Sequence, residues 1–259
     1  MDASFFQPRS NDGSRWRATP HTAGPWDPGS QHGGPPSALL GRAVERCAPR
    51  DDLRVARVTV EILGAVPVGE LDLAARVVRP GRSVELVEAV LSASGRDVAR
   101  AAAWRVRRTE GVQVDSRAAA APPLADGVEQ ELGEGWSGGY LRAVEWRFVG
   151  GRFDRPGPGT AWTRLRVGIV PDEEPSPLQR VLAVADSGNG LSGELDLARW
   201  YFINPELTVH SHRDAVGAWV CLDATTTISD GGSGLATSVL SDQTGPVAVG
   251  AQTLLIAPR

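Results

Sequence analysis

The sequence predicts an α+β protein made of two copies of one domain, each a curved antiparallel sheet wrapped around a central helix. Two observations carry this prediction. A short helical pattern is followed by a run of alternating apolar and polar residues, and the same order recurs in the second half of the chain. In addition, residues 59–106 slide onto 208–255 without a gap, so that TVEIL falls on TVHSH and VARAA falls on VAVGA. A repeat of this length indicates a duplicated domain rather than a solenoid.

In the first half, a helix is predicted over 36–47 and four strands follow it. Ser37 belongs to the residue types that cap helices, and Leu39, Leu40 and Ala43 lie on one helical face. The later residues alternate with period two, which is typical of an antiparallel meander with one solvated face. The predicted strands cover 54–63, 66–80, 83–95 and 96–108.

The second half repeats this order, with a helix predicted over 176–186. Ser176 is the expected N-cap and Pro177 the first helical residue. An apolar stripe at helical spacing indicates burial on one side; it consists of Leu178, Val181, Leu182 and Ala185. Opening strands are expected in 143–153 and 160–170, and later strands over 207–213, 217–229, 233–242 and 247–256.

An acidic segment rich in Ala and Pro separates the two halves. Residues 117–135 carry no apolar stripe that would dock on a sheet, which is typical of a linker. The chain is therefore expected to divide into a first domain over 1–112, a linker over 113–137 and a second domain over 138–259.

Composition and charge exclude several classes of function. The chain has 259 residues and a formal net charge of −4, which argues against a nucleic-acid-binding or polybasic membrane-binding surface. No apolar run approaches the roughly 18 residues of a membrane-spanning helix, and the first residues lack the pattern of a signal peptide. Cys47 and Cys221 show no metal or disulfide spacing, which favours a reducing compartment. We therefore expect a soluble, cytoplasmic protein.

The segment VLAVADSGNGLSGELD (181–196) contains the pattern G-x-G-x-x-G between Gly188 and Gly193. In a dinucleotide-binding loop this pattern follows a strand and opens a helix. Here the predicted helix precedes the glycines, and no helical pattern follows them. We therefore interpret the segment as a Gly-rich loop that lets the chain leave the helix and places Asp186.

Five segments together resemble the acyl-CoA thioesterase II (TesB-like) family, in the branch typical of actinobacterial thioesterase-family proteins. They are SQHGGPPSALLGRAVE (30–45), VVRPGRSVELVEAVLSASGRDVARAAAWR (77–105), VLAVADSGNGLS (181–192), INPELTVHSHR (203–213) and VAVGAQTLLI (247–256). The order of the segments carries the resemblance, more than any single motif. It implies a double hotdog fold whose two sheets form one continuous sheet, and hydrolysis of an acyl-CoA to a free acid and CoA.

The family carries three catalytic polar groups in its second hotdog, and the resemblance places them at Asp186, Asn204 and Gln252. The family has Thr or a similar polar residue at the second position, so Asn204 departs from the Thr pattern, although its amide can still hold a water molecule. Thioester hydrolysis needs a water nucleophile, a base and donors for the oxyanion, and Asp186 is the expected base. Ala103 stands where the repeat would place a counterpart of Gln252, so the first half is expected to be structural or to line the substrate channel.

Each of these three residues also has an ordinary structural alternative. Asp186 before Ser-Gly is common in turns, Gln252 is alternatively a solvent-facing strand residue, and Asn204 is alternatively a turn residue before proline. Two other functions are alternatives for the whole chain. One is a non-catalytic acyl- or acyl-CoA-binding protein, and the other is a hotdog hydratase, whose Asp/His pair the histidines of this sequence do not match.

His32, Gly33 and Gly34 are the predicted substrate-binding residues. They precede the first helix, where free backbone amides can receive an anion or a carbonyl oxygen, and His32 is placed to face the acyl or pantetheine tunnel. The alternative is a tight turn into the helix, with the two glycines allowing close packing against a sheet.

No metal site is predicted. His210 and His212 share one face of a strand, but two ligands fall short of the three or four of a zinc site. We expect no cofactor, because the CoA thioester enters as substrate. The expected partner is an acyl-CoA molecule, with no nucleic acid and no membrane, and a homo-oligomer is compatible with the sequence.

Overall fold

The computed structural model describes residues 3–111, 120–133, 136 and 138–259. The helices within these residues are α1 (Gly34–Arg46), α2 (Gly139–Ala143), α3 (Pro177–Ala185) and α4 (Gly188–Leu191). The strands in the same residues are β1 (Phe6–Pro8), β2 (Arg15–Ala18), β3 (Leu53–Ile62), β4 (Glu70–Arg79), β5 (Val84–Ala93), β6 (Arg96–Arg107), β7 (Val128–Glu129), β8 (Val144–Arg152), β9 (Arg155–Leu165), β10 (Trp200–Ile203), β11 (Glu206–Ser211), β12 (Val220–Ile228), β13 (Ser233–Asp242) and β14 (Gly245–Pro258).

These strands form one antiparallel sheet. Its order is β1-β2-β4-β5-β6-β3-β11-β14-β13-β12-β9-β8-β7, and β10 pairs with β14 next to the β11 pairing. The prediction of a single continuous sheet is therefore confirmed. Along β5 and β13, buried residues alternate with more accessible ones, because one face of each strand is covered.

The two halves of the sheet meet where β3 pairs with β11. Thr59 lies directly opposite Thr208, and the two hydroxyl oxygens are 3.1 Å apart. The sequence repeat aligns these same two residues. The correspondence extends to Ala103 of β6 and Gln252 of β14, which the sequence repeat also aligns. The residue of β5 that pairs with Ala103 and the residue of β13 that pairs with Gln252 are aligned by the same repeat. The predicted internal duplication is thus confirmed in the strand registers.

The helices α1 and α3 pack against each other between the two halves. A Cβ added to Gly41 would lie 2.5 Å from Leu182 Cδ1, so the absence of a side chain permits this approach. α1 contacts β3, β4, β5 and β6, whereas α3 contacts β9, β11, β12 and β13. The helices are antiparallel, so the N-terminus of α1 meets the C-terminus of α3. The candidate site lies at this junction.

The helix predicted over 36–47 begins earlier than expected, and Ser37 is not its N-cap. The N-cap is Gly33, and the Ser37 hydroxyl, inside the helix, donates to the Gly33 carbonyl at 2.7 Å. The prediction is wrong because the two prolines before Ser37 belong to the first helical turn, where proline is tolerated. The cap of the second helix is confirmed, since Gln179 N–H donates to the Ser176 hydroxyl at 3.2 Å.

The glycine-rich segment is not the loop that the sequence predicts, because α4 forms inside it. The N–H groups of Leu191 and Ser192 donate to the carbonyls of Ser187 and Gly188 at 2.9 and 3.1 Å. The Ser192 hydroxyl adds a bond to the Gly188 carbonyl at 2.8 Å. Main-chain bonds of this kind offset the low helical propensity of glycine over a single turn.

The sheet includes a short segment of the predicted linker. Residues 128–129 form β7, which pairs with β8. Residues 113–119, 134, 135 and 137 of the linker prediction lie outside the described residues. In the described part of the chain, no helix has the length and apolar character needed to cross a membrane.

Candidate active site

Asp186 ends α3 as its C-cap residue, at the junction between the two halves. Its side chain is only 7% exposed. The carboxylate lies against Gly33, the N-cap of α1, where an added Cβ would be 2.5 Å from Oδ2. A buried carboxylate is thereby placed where a helix of the first half begins, and no side chain at position 33 covers it.

Two side-chain amides hold one oxygen of this carboxylate. Asn204 Nδ2 donates to Asp186 Oδ1 at 2.8 Å, and Gln252 Nε2 donates to the same oxygen at a longer 3.4 Å. The three residues that the resemblance places in the active site therefore lie together. Oδ2 accepts no hydrogen bond from the described residues, so it is the oxygen that is free to act on a ligand.

Gln252 lies behind the carboxylate rather than in front of it. Its Nε2 also donates to the Asp186 backbone carbonyl at 3.1 Å, and its Oε1 accepts Asn189 N–H at 3.0 Å. The side chain is buried, and it is not among the residues that line the cavity. A Cβ on Gly188 would lie 2.9 Å from Oε1, so this glycine leaves room for the amide. Gln252 thus joins the end of α3 to the start of α4.

Asn204 lies between β10 and β11, and both strands pair with β14, which carries Gln252. Its Nδ2 also donates to the Glu206 carbonyl at 3.2 Å, which fixes the amide plane. Its Oδ1 lies 3.5 Å from Asn189 Nδ2. Asn189 belongs to the glycine-rich segment and lines the same cavity, and no sequence motif points to it.

His32 reaches the carboxylate from the first half. Its Nδ1 accepts the N–H of Gly34 at 3.0 Å and lies 3.5 Å from Asp186 Oδ2. Burial lowers the pKa of His32, and the negative charge of Asp186 opposes that shift. Chain folding thus brings residues 32 and 186 together, although they lie far apart in the sequence.

Tyr140 supports the imidazole of His32. The two rings stack with centroids 3.8 Å apart and an interplanar angle of 10°. The phenol oxygen donates to the Ala183 carbonyl at 2.8 Å and lies 2.9 Å from the Ser187 hydroxyl. Burial raises the pKa of Tyr140 well above its usual range, so the phenol stays protonated. No local sequence pattern links Tyr140 of α2 to His32.

The amides at the start of α1 are fewer than the sequence suggested. Pro35 and Pro36 have no N–H, and the N–H of Gly34 is used by His32. Gly33 and Gly34 serve close packing, since an added Cβ on Gly34 would collide with the Ala183 carbonyl. Among the predicted substrate-binding residues, His32 and Gly33 line the cavity and Gly34 does not.

A cavity of about 620 Å³ opens in front of the carboxylate. Its polar lining residues near Asp186 include His32, Asn189 and Asn204, and most of the remaining wall is apolar. At one side three aromatic rings form what we call the aromatic wall, composed of Trp26, Trp136 and Phe153. The Trp136 ring stacks on Phe153 with centroids 5.6 Å apart and meets the edge of Trp26 at 5.4 Å.

Metal-ligating groups do not cluster in the part of the chain that the structure describes. No set of three or more His, Cys, Asp or Glu side chains is arranged to hold an ion there. His210 is exposed on β11, and neither His210 nor His212 lines the cavity.

Comparison with known proteins agrees with this architecture. A protein-family model described as the acyl-CoA thioesterase N-terminal domain matches residues 22–106. A second family model, described as the acyl-CoA thioesterase C-terminal domain, matches residues 115–256. A search of curated proteins gives no match.

Solved structures with similar folds include three bacterial proteins. A conserved protein of unknown function with a hot dog fold from Alicyclobacillus acidocaldarius has a TM-score of 0.77 at 16% identity, over 99% of this chain and 97% of that one. The tesB protein of Mycobacterium avium subsp. paratuberculosis has a TM-score of 0.68 at 18% identity, over 98% and 96%. An acyl-CoA thioesterase II from Mycobacterium marinum has a TM-score of 0.66 at 16% identity, over 98% and 96%.

The fold defines a hotdog protein with a single long sheet. Since the C-terminal model alone covers more than half of the sequence, the chain belongs to the acyl-CoA thioesterase family and is a thioester hydrolase.

Proposed function

We propose that this enzyme hydrolyses an acyl-CoA to a free carboxylic acid and CoA, with Asp186 as the general base. The observation that carries the proposal is the asymmetry of the Asp186 carboxylate. Oδ1 is held by Asn204, whereas Oδ2 accepts no bond from the described residues and the side chain lines the cavity. A base needs such a fixed carboxylate with one oxygen free for a water proton.

In the proposed reaction, a water molecule bound at Oδ2 attacks the thioester carbonyl carbon. A C–O bond forms while the proton of the water moves to Asp186, and the carbonyl oxygen becomes an oxyanion. Collapse of this intermediate breaks the C–S bond. The proton on Asp186 then passes to the departing sulfur, so CoA leaves as the thiol and Asp186 is again a carboxylate.

The side-chain amides of Asn204 and Gln252 have different roles in this proposal. Asn204 is in the cavity and orients Asp186, and its Oδ1 together with Asn189 can hold the attacking water. Gln252 is a positioning residue, because its amide is used by Asp186 and Asn189. We therefore assign the water contact to Asn189 and Asn204, and not to Gln252.

The cavity favours an uncharged, apolar acyl group. Beside Asp186 and the imidazole of His32, the only ionisable groups among the described lining residues are Tyr201 and Arg259, and Arg259 lies over the ring of Tyr201. Burial of alkyl groups against such a surface is worth about 0.8 kcal/mol per CH₂. We assign the acyl group to the side of the aromatic wall.

A hydratase is the second candidate, because the imidazole of His32 lies 3.5 Å from Asp186 Oδ2. The Gly34 N–H bond to Nδ1 argues against it, since the nitrogen that faces the carboxylate is already an acceptor. An enoyl-CoA separates the two functions. Hydration removes the conjugated double bond without releasing a thiol, whereas hydrolysis releases CoA.

The test is CoA release from a panel of acyl-CoA esters by the wild type, Asp186→Asn and Glu45→Gln. Glu45 is the matched control, because it is a partly buried carboxylate in the last turn of α1 that contacts Ser176 at the start of α3. We expect Asp186→Asn to lower kcat by about 10²–10⁴-fold and Glu45→Gln to keep wild-type kcat. Wild-type activity in a folded Asp186→Asn variant would remove Asp186 as the base. No turnover by the wild type on any ester would overturn the proposed function.

A further inference from the structure

The imidazole of His32 has one nitrogen engaged and one free. Nδ1 accepts the Gly34 N–H at 3.0 Å. Nε2 has no hydrogen-bond partner among the described residues, and the side chain lines the cavity that contains Asp186 and Asn204. A free polar atom on an otherwise fixed ring therefore faces the space that the thioester would occupy.

The hydrogen bond at Nδ1 decides where the proton is. A neutral imidazole has one donor nitrogen and one acceptor nitrogen, so an Nδ1 that accepts a backbone N–H leaves the proton on Nε2. Burial lowers the pKa of His32, which keeps the ring neutral at neutral pH. The titratable groups that face the ring are the Asp186 carboxylate at the end of α3 and the Tyr140 phenol of α2.

The ring is also fixed in orientation. It stacks on Tyr140 at 3.8 Å, and the Tyr140 hydroxyl is bonded to the Ala183 carbonyl of α3. The backbone N–H of His32 donates to the Thr22 carbonyl at 2.8 Å. A donor whose direction is set before substrate binds costs no reorganisation during the reaction.

We propose that His32 is a further catalytic residue, whose Nε2–H donates a hydrogen bond to the thioester carbonyl oxygen and stabilises the oxyanion. The proposal rests on the proposed function, because it assigns the electrophilic half of the same reaction. The proton stays on Nε2 throughout, and the proton of the attacking water goes to Asp186. A neutral imidazole suits this role because it is a donor that does not neutralise the adjacent base.

Two variants separate the donor from the ring. His32→Phe keeps an aromatic ring for Tyr140 but has no donor, whereas His32→Gln loses the ring but keeps an amide N–H at the end of the side chain. Removal of one oxyanion donor typically costs about 10²–10³-fold in kcat. We expect that loss in His32→Phe with KM changed only a few-fold, and a kcat for His32→Gln clearly above that of His32→Phe.

Three results would overturn the proposal: wild-type kcat in a folded His32→Phe, a raised KM with unchanged kcat, or equal kcat losses in both folded variants. If His32→Phe fails to fold, the pH profile of the wild type decides instead. A neutral donor predicts a kcat that stays constant as the pH falls from 8 through 6.5, whereas a loss of kcat there that His32→Gln does not share would mean that His32 acts as a base. Turnover by the wild type and its loss in Asp186→Asn show whether the proposed function itself holds.

Discussion

Gly33 and Asp186 come from different halves of the chain and lie in direct contact. A Cβ on Gly33 would approach Asp186 Oδ2 to 2.5 Å, closer than any real Cβ contact. The neighbouring helix ends explain this approach, because the N-cap of α1 faces the C-cap of α3. Neither hotdog unit alone could form this part of the candidate site, which gives the fusion of the two units a chemical consequence.

Gly33→Ala is expected to lower kcat while the protein still folds. The methyl group would push Asp186 Oδ2 away from its position, and a misplacement of about 1 Å can cost about 10²-fold in rate. Kinetics of CoA release checks this. Gly69→Ala is the matched control, because an added Cβ at Gly69 meets no atom within 4 Å. Equal kcat in the two folded variants would show that the contact has no bearing on catalysis.

Asn204→Ala is expected to lower kcat by roughly 10–10²-fold. The change removes a 2.8 Å hydrogen bond to a carboxylate, and a bond to a charged group is worth about 1.5–3 kcal/mol. Asn204→Thr introduces the side chain that the family pattern has, and its hydroxyl can still donate, so we expect an intermediate kcat. The measurement is steady-state kinetics on one acyl-CoA. A wild-type kcat in Asn204→Ala would exclude Asn204 from the mechanism.

Much of the fold was predictable because the physical signals are periodic. The alternation along 83–95 and 233–242 and the capped helix that ends at Asp186 appear in the sequence as short-range patterns. The duplication was predictable for the same reason, since a second copy repeats each pattern in order. β1 and β2 were missed because three or four residues are too few to show a period of two.

The candidate site was predictable only in part. Asp186, Asn204 and Gln252 followed from the family resemblance, and the structure brings them together. The sequence predicts substrate binding for His32 but does not indicate its contact with Asp186. That contact joins residues 154 positions apart in the chain, and no spacing rule covers such a distance.

The aromatic wall is expected to limit the length of the acyl group. Beyond it lies a second cavity of about 570 Å³, which shares Trp26, Trp136 and Phe153 with the first. Because the Trp26 side chain is largely exposed, Trp26→Ala should join the two cavities at little cost in stability. We expect kcat/KM for longer acyl chains to rise relative to short ones, by up to roughly fourfold per added methylene.

A chain-length series of acyl-CoA esters measures this change. Trp104→Ala is the control, because Trp104 lies on β6 beneath Arg79 and does not line either cavity. An unchanged length preference in Trp26→Ala would mean that the acyl group does not reach the aromatic wall.

His32 is expected to make the stability of the wild type fall as the pH drops below about 6.5. Burial lowers the pKa of His32 in the folded state, whereas in the unfolded chain it returns to about 6.5. Below that value, the unfolded chain binds a proton at His32 that the folded protein does not bind. Protonation therefore stabilises the unfolded state relative to the folded state. Above about pH 6.5, His32 is neutral in both states, and its protonation does not reduce the stability.

Urea midpoints at pH 8 and pH 5.5 test this for the wild type and His32→Gln. The midpoint of the wild type should fall more than that of the variant between the two pH values, since the other titrating groups are common to both. Parallel changes in the two proteins would show that His32 does not titrate differently on folding.

Asp242 is expected to be a major determinant of stability at neutral pH. Its carboxylate is fully buried and accepts both Arg213 NH groups at 2.5 and 2.7 Å, together with Val216 N–H at 2.8 Å. Burial alone would raise the pKa of Asp242, but these donors outweigh it and hold the pKa well below its usual range. The contribution of Asp242 is therefore present above about pH 4 and is lost as the pH falls towards the lowered value. Asp242→Asn should lower the free energy of unfolding at pH 7 by about 3 kcal/mol. This value is the lower end for breaking a buried ion pair, because Arg213 is partly in water.

Chemical denaturation measures this loss against Asp52→Asn, which removes the exposed partner of Arg50 and should leave the midpoint nearly unchanged. Equal midpoints for the two variants would mean that the buried pair contributes no more than an exposed one.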